Sequence, residues 1–271
     1  MNTILLIGAG NMGFSMLRGW LSALGDRYRF IVADPAAGPR FATLEAAERA
    51  RISAVTDLDE LPSDTRPNAV IFATKPDGVC NAIKQVRGQL TSETVLISVA
   101  AGLQIGQMRQ SAPAGQPIAR VMPNIGALVG QSASAGITSS DTTARQRALV
   151  ERLFQALGQF TWLSSEDDMH VVTAISGSGP AYFFAMCEAM IAAAVENGLD
   201  KGIAETLVHA TCAAAGGLIK QTPDAALLRH QVTSPGGTTA AGLEALGQNE
   251  GLRTVVASAV RAARRRSIEM G

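Results

Sequence analysis

The chain has little with which to bind a metal or to cross-link itself. Only three cysteines (Cys80, Cys187, Cys212) and three histidines (His170, His209, His230) are scattered through 271 residues. An odd number of widely spaced thiols excludes a disulfide framework and reads as reduced side chains of a cytoplasmic protein. None of these residues has the short spacing of metal ligands, so no metal site is expected. Net charge is also lacking. The 23 Lys and Arg residues balance 23 Asp and Glu, which argues against an electrostatic nucleic-acid binder. The run Arg264-Arg265-Arg266 is most simply a solvated helix face. No basic and then apolar leader precedes the first strand, so no secretory signal is expected. The apolar runs read as too short for a membrane span, so no membrane partner is expected either. What the chain does have is 47% hydrophobic residues, enough for a sizeable core. Its length suits one large or two ordinary domains.

The first distinctive stretch is Thr3-Ile4-Leu5-Leu6-Ile7-Gly8-Ala9-Gly10-Asn11-Met12-Gly13. An apolar run breaks into glycines spaced G-x-G-x-x-G, and an amphipathic run follows at Phe14. That order reads as strand, tight turn, helix. Gly8 permits the turn, Gly10 lets a pyrophosphate approach the backbone, and Gly13 lets helix and strand lie close. The helix start then offers N–H groups and a positive dipole end to phosphates. A glycine-rich turn of another α/β protein is the competing reading.

Further strand-like and helix-like segments alternate, the signature of a parallel sheet with helical crossovers. Arg29 to Ala33 reads as the second strand and ends at Asp34, twenty-one positions after Gly13. An acid there can grip the adenosine ribose of NAD, and its charge would repel the 2′-phosphate of NADP. It reads equally as a turn aspartate before Pro35, with Arg40 close by in sequence. A helix is expected over Phe41 to Arg51. Continuous apolar strands follow at Ala69 to Phe72 and Val95 to Val99, each ending in a loop at the carboxyl end of the sheet, where ligands bind. Those loops carry Ala73, Thr74, Lys75 and Pro76, and Ala100, Ala101 and Gly102. Pro117 to Met122 is another strand, ending in Met122-Pro123-Asn124. Ser134 to Thr138 reads as a late edge strand, Arg145 to Leu157 as a helix, and Gln159 to Leu163 as a last short strand.

Composition changes after Ser164, and helices take over. Ala181 to Asn197 is apolar on nearly all sides and needs burial all round, in a bundle or against a second subunit. Lys201 to Lys220, Asp224 to Gln231 and Gly251 to Glu269 add further helices. Two small-residue loops stand out, Ser176-Gly177-Ser178-Gly179-Pro180 and Thr233-Ser234-Pro235-Gly236-Gly237-Thr238-Thr239. In the second, Ser234 suits an N-cap and Pro235 the first helical position. The N–H groups of Gly236, Gly237 and Thr238 would then receive a small anion such as a carboxylate. A well-capped helix without a ligand is the equal alternative.

Taken in order, these motifs resemble pyrroline-5-carboxylate reductase over essentially the whole chain. The resemblance rests on Ile7 to Gly13, Phe72 to Pro76, Ser98 to Gly102, Arg120 to Asn124, Ser176 to Tyr182 and Val232 to Thr239. It implies an α/β fold with an N-terminal Rossmann-type dinucleotide-binding domain (1–164). An all-α C-terminal substrate and dimerisation domain (165–271) follows. It further implies a homodimer through the helical domain, with dimers commonly assembling into decamers. The implied reaction reduces the cyclic imine pyrroline-5-carboxylate to L-proline with NADPH or NADH. Gly8, Gly10, Asn11, Met12, Gly13, Asp34, Ala73 to Pro76 and Ala100 to Gly102 are the implied cofactor residues. Met122, Asn124, Pro180, Val232, Ser234, Gly236, Gly237, Thr238 and Thr239 are the implied substrate residues. The Thr239 hydroxyl is the implied catalytic contact to the substrate nitrogen.

Three departures stand out. Ile125-Gly126-Ala127 replaces the family's usual Thr-Pro-Ala. Leu228 to Val232 lacks an acid found in many members. Asp34 replaces a polar or basic residue, which favours NADH. Two other readings compete: a hydroxyacid or imine reductase of the same plan, and a non-catalytic regulatory paralogue. The helical half offers only Lys201 and Lys220 as the lysine acid the hydroxyacid reductases use, and neither sits in such a motif. Intact Ser234 to Thr239 argues against the paralogue.

Overall fold

A computed structural model describes all 271 residues. The chain forms two compact units, Met1–Ser178 with Ala263–Gly271, and Gly179–Ala262.

The first unit is built on one eight-stranded sheet. Its strands are β1 Asn2–Ile7, β2 Tyr28–Ala33, β3 Ile52–Val55, β4 Ala69–Phe72, β5 Val95–Ser98, β6 Ile118–Met122, β7 Ser132–Thr138 and β8 Gly158–Trp162. They lie in the order β3-β2-β1-β4-β5-β6-β7-β8. The first six strands run parallel, in the 3-2-1-4-5-6 order of doubly wound dinucleotide folds. Strand β7 pairs antiparallel with β6, and β8 parallel with β7. The late strand is therefore interior, and β8 forms the edge. Strand β3, at the other edge, is four residues long with no fully buried position, too little pattern to be read from sequence.

Helices cover both faces: α1 Asn11–Ala23, α2 Gly38–Phe41, α3 Ala46–Arg49, α4 Pro76–Gln85, α5 Ile105–Arg109, α6 Ala144–Gln155 and α7 Asp168–Val172. The single helix expected over 41–51 is instead two short turns. Glu45 is extended and forms a capping box with Glu48, which starts a new helix there. Alternation along β1 divides the core. Ile4 and Leu6 face α1 with Phe14, Leu17 and Trp20, while Leu5 and Ile7 face α4 with Val79 and Ile83. Trp20 stacks on Phe30 at 5.9 Å and donates from Nε1 to the Leu153 carbonyl at 2.7 Å.

After α7 the chain makes a π-turn, Thr173–Gly177, and enters α8 Gly179–Glu196. The segment read as a loop at Ser176 to Pro180 is thus helical. Continuity through it makes Asp168–Glu196 a 29-residue helix with mean hydropathy 1.3 in its most apolar window. The helix α9 Lys201–Gln221 has the same value. Both are long and apolar enough to cross a bilayer by length and composition, which corrects the expectation of short apolar runs. The remaining helices are α10 Ala225–Gln231, α11 Thr238–Gly247 and α12 Gly251–Glu269. Helix α12 starts in the second unit and finishes in the first.

The second unit has almost no core of its own. Phe183 is 66% exposed and Phe184 60%, and Met190, Ile203, Leu207 and Val255 are exposed as well. Apolar exposure on this scale marks an interaction surface.

Candidate functional site

The glycine turn after β1 has the geometry its spacing predicts. Gly8 lies at φ +92°, and a Cβ there would meet the Ala73 carbonyl oxygen at 2.8 Å. A Cβ at Gly13 would collide with the Gly8 carbonyl and press on Ala73 Cβ at 3.2 Å. Both glycines are demanded by backbone and packing. Gly10 differs: a Cβ there meets nothing within 4 Å, although Gly10 is the N-cap of α1. Open space lies over a helix start whose first N–H groups have no intrahelical acceptor. That cradle fits a dinucleotide pyrophosphate.

The other cofactor candidates gather around it. Ala73 donates its N–H to Ile7 O at 2.8 Å, and Thr74 Cγ2 lies against the Gly8 position at 3.0 Å. Lys75 is exposed and is the N-cap of α4, with Pro76 at its first turn. Asn11 is exposed and Met12 half-buried at the start of α1. Ala100, Ala101 and Gly102 follow β5, the next strand but one from β1. Asp34 braces the turn itself. Its Oδ2 accepts from Ala9 N–H at 2.6 Å, and its Oδ1 accepts from Ala36 N–H at 2.7 Å. Asp34 is thus a turn residue, as one of its two readings expects, and its carboxylate lies beside the glycine loop. Arg40 sits close too, donating to Asn11 Oδ1 at 3.0 Å and lying 5.7 Å from the centre of the Phe14 ring.

The substrate candidates divide between the units. Met122 and Asn124 end β6 and are both 7% exposed. Asn124 is used by main chain: Nδ2 donates to Ser176 O at 3.0 Å, and Oδ1 accepts from Gly126 N–H at 3.0 Å. Met122 Sδ lies 3.4 Å from where a Cβ of Gly177 would stand. The end of β6 and the π-turn are thereby fastened together.

In the second unit, Pro180 is in the first turn of α8, and Val232 is exposed after α10. The anion loop differs from its prediction. Ser234 is not the N-cap. Gly236 adopts φ +68°, Gly237 N–H turns back to Ser234 O at 3.1 Å, and Gly237 caps α11. The left-handed residue inserts a turn before the helix. The free helix-start N–H groups are therefore those of Thr238, Thr239 and Ala240, two positions further along than expected. Thr238 and Thr239 are exposed there.

Sequence reasoning gave no role to a buried polar cluster below the β5 and β6 loops. Arg120 on β6 is 2% exposed and pairs with Glu166 at 2.7 Å, while its Nη2 has no partner. His170 lies near it, with Nδ1 3.0 Å from Ser267 Oγ. Burial pushes the His170 pKa down, and the Arg120 and Arg264 charges add to this, against Asp167 and Glu166. Arg120 stood inside a motif, but its partners are far along the chain and left no local pattern.

A glycine turn built for a pyrophosphate, on a parallel sheet in this strand order, defines a dinucleotide-dependent oxidoreductase, joined here to a helical segment for association. Comparisons with known proteins agree. The family model described as pyrroline-5-carboxylate reductase dimerisation matches residues 166–270, and NADP oxidoreductase, coenzyme F420-dependent, matches 3–102. The pyrroline-5-carboxylate reductase of Haemophilus influenzae is 34% identical, covering 98% of this chain and 97% of its own. That of Mycobacterium leprae is 35% identical over 100% and 97%. The structure of the Coxiella burnetii enzyme is similar with a TM-score of 0.87 at 29% identity, over 99% of this chain and 98% of that one. The Plasmodium falciparum reductase, solved with NADP bound, gives 0.82 at 27% identity, over 100% and 98%. The chain belongs to the pyrroline-5-carboxylate reductase family.

Proposed function

We infer that the chain reduces the cyclic imine of 1-pyrroline-5-carboxylate to L-proline, the last step of proline biosynthesis. The observation that carries this reading is the family match over the full chain with both glycine-rich helix starts intact. A bound NADPH or NADH supplies the hydride. Gly8, Gly10, Asn11, Met12 and Gly13, with the loops 73–76 and 100–102, hold the dinucleotide. Asp34 tilts the preference towards NADH, because its carboxylate stands beside the glycine loop.

On the substrate side, the start of α11 binds the carboxylate through Thr238 to Ala240 N–H groups, with Gly236 and Gly237 keeping the approach open. Ser234 shapes the turn, and Thr239 Oγ1 contacts the ring nitrogen. Met122, Asn124, Pro180 and Val232 complete the surroundings. A protonated imine is already electrophilic, so a strong protein acid is not required. Holding two reactants in place can supply roughly 7–11 kcal/mol of the barrier at best.

Residues 1–164 serve in this reading as the dinucleotide domain and 165–271 as the substrate and dimerisation domain. The exposed apolar helices of the second unit pair with a second copy, and five such dimers form a decamer. The enzyme works in the cytoplasm on a small molecule, without nucleic acid or membrane. The test is an assay following oxidation of NADPH and, separately, NADH in the presence of pyrroline-5-carboxylate. Absence of imine-dependent oxidation with either would refute the activity. A strong preference for NADPH would refute the role given to Asp34.

A further inference from the structure

We propose that Gln107 is a positioning residue for dinucleotide binding, fastening the loop after β5 to the Met270–Gly271 segment. The proposal rests on the reading of Ala100 to Gly102 as part of the dinucleotide site.

The loop Val99 to Gln104 has no regular structure, yet it is held along its length. Ala100 N–H donates to Ser98 Oγ at 3.2 Å. Gly102 lies at φ +84°, and a Cβ there would meet the main-chain carbon of Met270 at 2.8 Å and Gly271 N at 3.0 Å. Gly102 is thus backed by chain more than 160 residues away. Gln104 then caps α5, its N–H donating to Gln107 Oε1 at 2.7 Å. The same amide donates from Nε2 to the Gly271 carbonyl oxygen at 2.8 Å. Ile105 N–H donates to Glu166 Oε1 at 2.8 Å, and that oxygen also accepts from Arg120 Nη1.

A helix cap alone needs only an acceptor at this third helical position, and glutamate serves there as well as glutamine. An amide both accepts and donates. The Gly271 contact therefore gives the second half of the Gln107 side chain its purpose. A loop already fixed in shape loses less freedom when a ligand arrives, and so binds it more tightly. The brace comes from the end of α12, whose earlier turns belong to the matched dimerisation segment.

The test titrates NADPH fluorescence on the full-length protein with Gln107→Glu, Gln107→Ala and Ala101→Trp. Gln107→Glu keeps the cap acceptor and loses the donor. It should weaken NADPH roughly three- to tenfold, the scale of one hydrogen bond, with melting temperature and the KM for the imine unchanged. Gln107→Ala should weaken NADPH at least as much. Wild-type affinity in Gln107→Glu would restrict Gln107 to capping and overturn the proposal. A weakened Gln107→Glu beside an unchanged Gln107→Ala would assign the effect to added charge and overturn it too. A lower melting temperature without a change in Kd would make the role structural only. Ala101→Trp separates the two readings. Weakened binding there with an intact Gln107→Glu removes the brace alone, whereas wild-type binding removes the loop from the site and the brace with it.

Discussion

His170 Nδ1 and Ser267 Oγ meet at 3.0 Å in a buried hydrogen bond between residues 97 positions apart. Burial first, and then the charges of Arg120 and Arg264, hold the His170 pKa below its ordinary value of 6.5. The folded chain therefore keeps this imidazole neutral where the unfolded chain takes up a proton. The stability it contributes is complete above the unfolded pKa and is lost as pH falls towards the lowered folded one. Melting temperature should decline between about pH 7 and pH 5, around the ordinary histidine pKa. His170→Asn, which keeps a polar partner for Ser267 but cannot titrate, should flatten the decline. Equal slopes in the two proteins would remove His170 from the acid response.

Gly13→Ala places a methyl group against the Gly8 carbonyl and the Ala73 side chain. Neither backbone nor packed strand can yield cheaply. A destabilisation of about 1–3 kcal/mol is expected from the overpacking, together with a loss of dinucleotide affinity. Gly10→Ala, pointing into open space, should leave the melting temperature nearly unchanged and weaken NADPH alone. Chemical unfolding beside a fluorescence titration distinguishes the two. Equal stability losses would contradict the division of labour between these glycines.

At Asp34, removing the charge should favour the phosphorylated cofactor. Asp34→Asn is expected to raise the ratio of kcat/KM for NADPH over NADH by roughly three- to tenfold, the effect of one like charge in a partly exposed site. Arg40, 3.0 Å from Asn11 Oδ1, remains in place to meet a 2′-phosphate. A ratio that does not move would leave Asp34 as a brace of Ala9 and Ala36 only.

Thr239→Ala should lower kcat about tenfold without abolishing it, the loss of a single hydrogen bond that strengthens as the ring nitrogen changes. Gly237→Val should act on binding instead. A Cβ at Gly237 comes within 3.2 Å of the Ser234 carbonyl and crowds its hydroxyl. Displacement of that turn should weaken a proline analogue by roughly tenfold or more. Isothermal titration with the analogue provides the measurement. Unchanged affinity in Gly237→Val would dispose of the carboxylate cradle.

Legibility in the sequence followed the range of the interactions. Strands β4 and β5 were visible because strands covered on both faces read as apolar runs, β1, β2 and β6 because theirs are interrupted or preceded by few polar residues, and Gly8 to Gly13 because its constraints are local. Strand β3 was invisible because Ile52 to Val55 is a four-residue edge with no fully buried position. The cap of α11 moved from Ser234 to Gly237 because two adjacent glycines allow more than one turn, and only the observed φ of Gly236 decides between them. The helical path through Ser176 to Pro180 was hidden by small residues that usually mark loops. Arg120, Gln107 and His170 have partners 46, 164 and 97 positions away. No window along the chain contains such pairs.

The passage of α12 from one unit into the other has a consequence for how the protein comes into being. A ribosome releases the glycine turn first, and domains generally fold in order of synthesis. Yet Ser267, Met270 and Gly271 belong with that first unit, after the whole of Gly179–Ala262. Until they emerge, His170 lacks its partner and Gly102 its backing. The first unit is therefore completed only by residues made after the whole segment that separates its two parts.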